Sequence, residues 1–376
     1  MTYRLAALVA TLALALAACA TPASPPAPSA QPPAAPPAAA ANPPAAGSSA
    51  ATTPAPTAAT AAASLRKVQV AVVGAQSEAA IFIGMEKGYY AEAGMEVELT
   101  RAAGAGDVVA LLAAGQLDVL AGGLNVGILN AIASGLPIAV VADHSHLVPG
   151  NDSNIIMVRS DLAGQINKAA DLRGRTVAIN TTSSPLAYAL GKALEAEGLT
   201  FDDVQVVTLP FPEMIVGFRN QAIDAATEIE PFVSVARDQR LAEIWKPVSE
   251  IVGPMEIGVL TLNVDWAQRD RQLANEFMVA FLRGARESYD AIHNGPRRPE
   301  VIRILTQYTD VKDPALYDKL IWADVNPDGY VDVASIEDQM AWYLRRGDLK
   351  QPVPIDRVVD NSYVDYALSK LGRFQR

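Results

Sequence analysis

The 376-residue chain holds one cysteine, Cys19, and three histidines, His144, His146 and His293. A single cysteine excludes an intramolecular disulfide and any cysteine-cluster metal site. So few imidazoles and thiols leave nucleophilic catalysis short of actors. No Gly-x-Ser-x-Gly elbow, Walker loop or His-Glu-x-x-His helix is present. Positive charge is also scarce: 30 Lys and Arg stand against 41 Asp and Glu, giving −11 overall. That balance argues against binding nucleic acid or lying on an anionic membrane. Beyond the N-terminus there is no second long apolar run.

What is present begins with Met1-Thr2-Tyr3-Arg4 and an apolar run from Leu5 to Ala18. One positive charge followed by a run too short for a bilayer span is the layout of a secretory signal, so residues 1–18 are expected to be removed. The run ends in Leu16-Ala17-Ala18-Cys19, which resembles the bacterial lipobox. That resemblance implies lipidation of Cys19 and a membrane anchor on the extracytoplasmic face. Residues 19–64 are Ala, Pro, Ser and Thr with almost no charge, as in Pro32-Pro33-Ala34-Ala35-Pro36-Pro37. Such a stretch cannot bury a core and reads as an unfolded stalk reaching roughly 100 Å.

From Leu65 the pattern becomes β/α alternation. Strands are expected at Val68–Val73, Met95–Leu99, Asp118–Ala121, Ile138–Ala142, Thr176–Ile179, Val204–Thr208 and Ala225–Ile229. Helices are expected at Phe82–Ala93, from an Asp107 cap to Ala114, from Ser184-Pro185 to Gly198, and at Glu213–Asn220, with a helical return after Asn263. This implies an α/β fold with parallel sheets covered by helices, in two sets.

Three motifs carry weaker signals. Gly104-Ala105-Gly106 follows a strand, but Val109 fills the third glycine position of a dinucleotide fingerprint, so a plain strand-to-helix turn is the better reading. Asp324-Val325-Asn326-Pro327-Asp328-Gly329 resembles an EF-hand loop, yet Ser335 stands where the bidentate Glu belongs, so a capped helix entry is expected in place of calcium. Asp143-His144-Ser145-His146 has two imidazoles but no nearby third ligand, so it reads as polar residues in a connecting loop, with no metal.

Several runs together resemble a known family. Ala80-Ile81-Phe82-Ile83-Gly84-Met85-Glu86-Lys87-Gly88-Tyr89-Tyr90, Ala93-Gly94-Met95-Glu96-Val97, Gly115-Gln116-Leu117-Asp118, Asp171-Leu172-Arg173-Gly174 and Glu230-Pro231 occur in order. Asn326-Pro327-Asp328-Gly329, Gln339 and Trp342 follow them. This resembles the ABC-importer substrate-binding proteins of the nitrate, sulfonate, taurine and thiamine-precursor type. The resemblance implies a two-lobed periplasmic-binding-protein fold of type II, with two parallel-rich sheets, helices on both faces and two hinge crossings. Lobe one is expected at 65–152 plus 260–376, and lobe two at 153–259. A small molecule held between the lobes, an ABC permease as partner, a monomer, no cofactor and no enzymatic activity are what it implies.

Ligands in such sheets sit at the C-terminal strand ends. The strand-end residues expected to bind are Gln76, Glu78, Phe82, Asn125, His144, Asn180, Thr181, Thr182, Ser183, Tyr188, Phe211 and Glu230, with Glu228 among the loops. No Lys or Arg falls in this set, and buried carboxylates are expected to disfavour an anion. Amides and hydroxyls with aromatic rings point to a neutral heteroaromatic vitamin or precursor, with riboflavin favoured over a thiamine pyrimidine and over a sulfonate, taurine or nitrate. The same fold also serves a thiamine-pyrimidine-synthesising enzyme, associated with a Cys-rich segment this chain lacks, and a sensory lipoprotein is a further alternative.

Overall fold

A computed structural model describes residues 64–102 and 105–375. The signal, Cys19 and nearly all of the stalk lie outside the described residues, as do Gly104 and the side chain of Asp107.

Strand β1 (Arg66–Val72) alternates: Val68, Val70 and Val72 face one core layer while Ala71 faces the other. Helix α1 (Ala79–Glu86) and the single turn α2 (Tyr89–Glu92) divide at Gly88, whose φ is 74°. The single helix expected over Phe82–Ala93 is therefore two pieces, because the left-handed turn redirects the chain. Strand β2 (Met95–Arg101), α3 (Ala105–Ala113), β3 (Val119–Gly123), α4 (Val126–Ala133) and β4 (Ile138–Leu147) complete the first run. Strand β4 is twice the expected length, and His144 and His146 lie within it rather than in a loop.

Residues 148–153 cross to the second sheet. Strand β5 (Asn154–Arg159) leads to β6 (Thr176–Ile179), α5 (Pro185–Glu195), β7 (Gln205–Thr208), α6 (Phe211–Arg219), β8 (Ala225–Ile229), α7 (Phe232–Asp238) and β9 (Ala242–Pro247). Helix α5 starts as the sequence implied: Ser184 Oγ accepts the Ala187 N–H at 3.2 Å and Pro185 follows it. The chain returns through α8 (Ser249–Val252) into β10 (Met255–Asn263). A helical remainder follows: α9 (Val264–Arg269), α10 (Arg271–Ile292), α11 (Arg298–Tyr308), α12 (Val333–Arg346), α13 (Ile355–Val358) and α14 (Ser362–Leu371).

Each sheet has five strands, ordered β2-β1-β3-β10-β4 and β7-β6-β8-β5-β9. The two follow one plan. Three neighbours run parallel, and the fourth position is reversed: β10 is antiparallel to β3 and β4, and β5 to β8 and β9. The reversed strand is the first one the chain lays down after each crossing. Both crossings therefore attach at the C-terminal ends of the forward strands, which turns those ends of the two sheets toward each other.

Helices α1, α10, α11 and α14 bury one face of the first sheet around Phe82, Phe277 and Phe281. Helices α3, α4 and α12 bury the other, and that layer continues into Leu186 and Tyr188 of α5. Trp342 of α12 lies so close to Gly191 of α5 that a Cβ there would stand 2.1 Å from the indole. Trp342 Nε1 donates to Glu195 at 2.7 Å, and Tyr188 Oη to Asp338 at 2.5 Å. The C-terminal return thus straps the second sheet's helix layer to the first.

Candidate functional site

The forward strand ends bring two helix starts together. At the end of β3, Asn125 caps α4 by accepting the Ile128 N–H at 3.1 Å and donates to Gly123 O at 3.0 Å. At the end of β6, Asn180 accepts Ser184 Oγ at 2.8 Å, and the Thr181 and Ser183 hydroxyls meet at 3.1 Å. Val126 N–H, the first of α4, donates to the Ser183 carbonyl at 3.2 Å. The two turns touch across the sheets, so the N-termini of α4 and α5 converge there with their partial positive charge. Thr182 sits beside them, exposed.

A second bridge joins the end of β8. Glu230 accepts Ser234 N–H and Oγ–H at 3.0 Å each, and Ile321 N–H from the C-terminal return at 3.3 Å. Burial raises its pKa, and these hydrogen bonds pull the other way. Phe211 opens α6 and stacks on Phe232 with centroids 6.2 Å apart. Glu228, the second-last residue of β8, has no exposed surface. One of its oxygens accepts only the Ile229 N–H at 3.3 Å, and Oε1 has no partner.

In the first sheet, Gln76 opens the turn after β1, and its buried Nε2 has no partner. His144 is buried on β4, which runs beside that turn. Its Nδ1 lies 3.3 Å from Ser145 Oγ and its Nε2 is unpartnered. Burial pushes its pKa down to about 4, against the pull of Asp143, so the ring is neutral at pH 7.

The remaining expected residues lie in packing. Glu78 accepts Val73, Gly74 and Ala75 N–H at 2.7, 2.7 and 2.9 Å, and burial lifts its pKa to about 7. Phe82 is fully buried and stacks on Tyr308 at 4.8 Å. Tyr188 is buried edge-on to Trp342 at 5.5 Å.

Two features escaped the sequence reading. Arg101 at the end of β2 lies against Gly74, bonding Asp310 at 3.1 Å and the Tyr308 carbonyl, so a cation does reach this rim. The signal was a strand running two residues past its apolar part. Asp143 of β4 and Glu256 of β10 are buried together and hold the EF-hand-like loop: Asp143 accepts Asn326 N–H, and Glu256 accepts Asp332 N–H at 2.8 Å. Asp328 of that loop pairs with Arg286 and Arg373, and Asp332 caps α12 through Ser335 N–H at 3.1 Å. Among the described residues no group of three His, Cys, Asp or Glu could hold a metal ion.

A surface cavity lined by Tyr89, Arg283, Arg286, Arg297 and Phe374 lies elsewhere, on α10. Its guanidiniums are paired with Glu92, Asp328 and Glu287.

The profile of the NMT1/THI5-like family matches residues 76–297. No curated protein matches the chain. Among solved structures, the ligand-binding component of an ABC-type import system from Staphylococcus aureus, with zinc bound, is 14% identical with a TM-score of 0.66, covering 80% of this chain and 99% of that one. The periplasmic aliphatic sulphonate binding protein SsuA of Escherichia coli is 16% identical with a TM-score of 0.63, covering 79% and 99%. The desulfurization enzyme DSZB is 16% identical with a TM-score of 0.60, covering 81% and 99%. The fold is that of the two-lobed type II periplasmic binding proteins.

Proposed function

Because the chain belongs to the NMT1/THI5-like family, we propose that it is the solute-binding component of an ABC importer, closing two lobes on a small molecule and delivering it to a permease. The observation that carries this reading is the Val126–Ser183 contact, which brings the strand-end turns of both sheets to one place beside the two crossings. We place the lobes at 65–152 plus 255–376 and at 153–254, because the expected boundary at 260 would cut β10, which pairs with β3 and β4 of the first sheet from Met255 onward. A lipid on Cys19 and the Pro/Ala stalk would hold a monomer within reach of its permease, on the outer face of the cell membrane. A binding role rather than an enzymatic one is supported by the shortage of nucleophiles: one Cys, and two of the three His side chains partnered with carboxylates, His146 with Asp143 and His293 with Asp324.

The ligand reading is a neutral ring carrying hydroxyls, riboflavin first and a thiamine-pyrimidine precursor next. Asn180, Thr181 and Ser183 supply amide and hydroxyl groups, His144 is uncharged, and Phe211 and Phe232 offer a ring pair. A sulfonate, taurine or nitrate is the second reading, favoured by the converging N-termini of α4 and α5. Titrating the full chain in detergent with riboflavin, followed by its visible absorbance, and with ethanesulfonate, followed by calorimetry, separates the two. Saturable binding of riboflavin supports the first. No riboflavin binding beside tight ethanesulfonate binding overturns it.

A further inference from the structure

We propose that Glu228 is a ligand-contacting residue whose carboxyl group donates a hydrogen bond to an acceptor atom on the bound solute. The inference rests on the cleft reading above and adds a chemical requirement to it.

The register fixes where Glu228 stands. Ala178 of β6 pairs with Ala226 of β8, so two residues further on Asn180 and Glu228 stand side by side. Ile155 of β5 pairs with Glu228 from the other side. All three lie on the sheet face that α6 and α7 cover, at its cleft end. Most other acids and amides of the strand ends are engaged: Glu78 with three N–H groups, Glu230 with Ser234 and Ile321, Asn125 with Gly123 and Ile128, Asn180 with Ser184; Gln76, in the other sheet, keeps a free Nε2. Glu228, unlike Glu78 and Glu230, keeps a fully buried oxygen with no partner; Asp143 and Glu256 also keep one, but their other oxygens hold the 326–332 loop.

An ionised carboxylate in that position would be costly, and an isolated buried acid neutralises instead. No cation among the described residues relieves it. Ile155, Asn180, Met214, Phe218 and Val233 around this face carry no charge, and Glu213 and Arg219 of α6 are exposed to water. Arg237 of α7 acts on Glu230 rather than on Glu228. Glu230 repels a second negative charge, so burial first and Glu230 second push the Glu228 pKa up.

A protonated carboxyl is a donor as well as an acceptor. It suits a ring nitrogen, a carbonyl or a sulfonyl oxygen, and it neither repels an anion nor attracts a cation. With Glu228 neutral, any repulsion of an anion by the carboxylates at these strand ends falls to Glu230. Binding needs the proton, so affinity should fall about tenfold per pH unit above the Glu228 titration.

The test uses the full chain in detergent with riboflavin and ethanesulfonate as probes, from pH 6 to 9, in the parent, Glu228→Gln and Glu228→Ala. For the probe that binds, the parent should weaken with rising pH. Glu228→Gln, a permanent neutral donor, should bind within a few-fold of the parent at low pH and show no slope. Glu228→Ala should lose about ten- to a hundredfold at every pH. Parent-like binding by Glu228→Ala, or a flat parent profile, overturns the proposal and leaves the receptor reading standing. If neither probe binds the parent, the ligand reading is overturned and the hydrogen bond to the solute with it; melting curves then report only whether Glu228 is protonated, by a melting temperature that falls with pH in the parent and not in Glu228→Gln.

Discussion

Glu78 shows how a single side chain builds a rim. Its carboxyl gathers the N–H groups of Val73, Gly74 and Ala75, which would otherwise end β1 without acceptors in a buried place. Glu78→Ala should destabilise the protein by about 3 kcal/mol, read from urea unfolding. The pH dependence has a fixed sign. The folded-state pKa, about 7, lies above the ordinary value, so the folded state holds the proton more tightly. The contribution is complete below about pH 4.3 and is lost as pH rises through 7. Unfolding of Glu78→Gln, followed over the same range, should lack that slope. The sequence marked Glu78 as a strand-end acid. It did not show that the backbone of its own loop would claim both oxygens, because that depends on how tightly the loop turns.

At the scale of elements, the contacts between α5 and α12 and between β4 and β10 decide how the sheets are held. Gly191→Ala should cost about 1–3 kcal/mol through overpacking, since the indole of Trp342 occupies the space a Cβ needs. Differential scanning calorimetry reads this as a lowered melting temperature. Glu256 is raised well above the usual carboxylate range by burial and then by Asp143, so its stabilising contribution is present at low pH and lost as pH rises through its folded-state value. Glu256→Gln should flatten that loss in melts between pH 5 and 9 while keeping the acceptor for Asp332 N–H. Parallel strands β1, β3, β6 and β8 were readable as short β-branched runs between helix signals. Strand β10 was not: Met255–Asn263 is buried on both faces and lacks the alternation that marks a half-buried strand, and nothing local announces that it returns to the first sheet. Strand β9, at a sheet edge with a mixed pattern, was missed for the opposite reason.

For the whole molecule, the family was legible because its runs lie in order along the chain, whereas the cleft was only partly so. Strand ends could be enumerated from the sequence, and the turns that follow β3 and β6 touch through Val126 N–H and the Ser183 carbonyl. Phe82 and Tyr188 could not be told from cleft residues, since a ring at helical spacing looks alike in a core and in a site. The reversed fourth strand of each sheet makes the two crossings leave from the same ends, and that geometry directs all forward strand ends to one place. The central claim is that a solute is held there by both sheets at once. Hydrogen exchange of the full chain, with and without saturating riboflavin or ethanesulfonate, tests it most directly. Slowed exchange is expected together in residues 123–128, 180–187 and 228–232. Protection confined to one sheet, or to the Arg283–Arg297 cavity on α10, would contradict it.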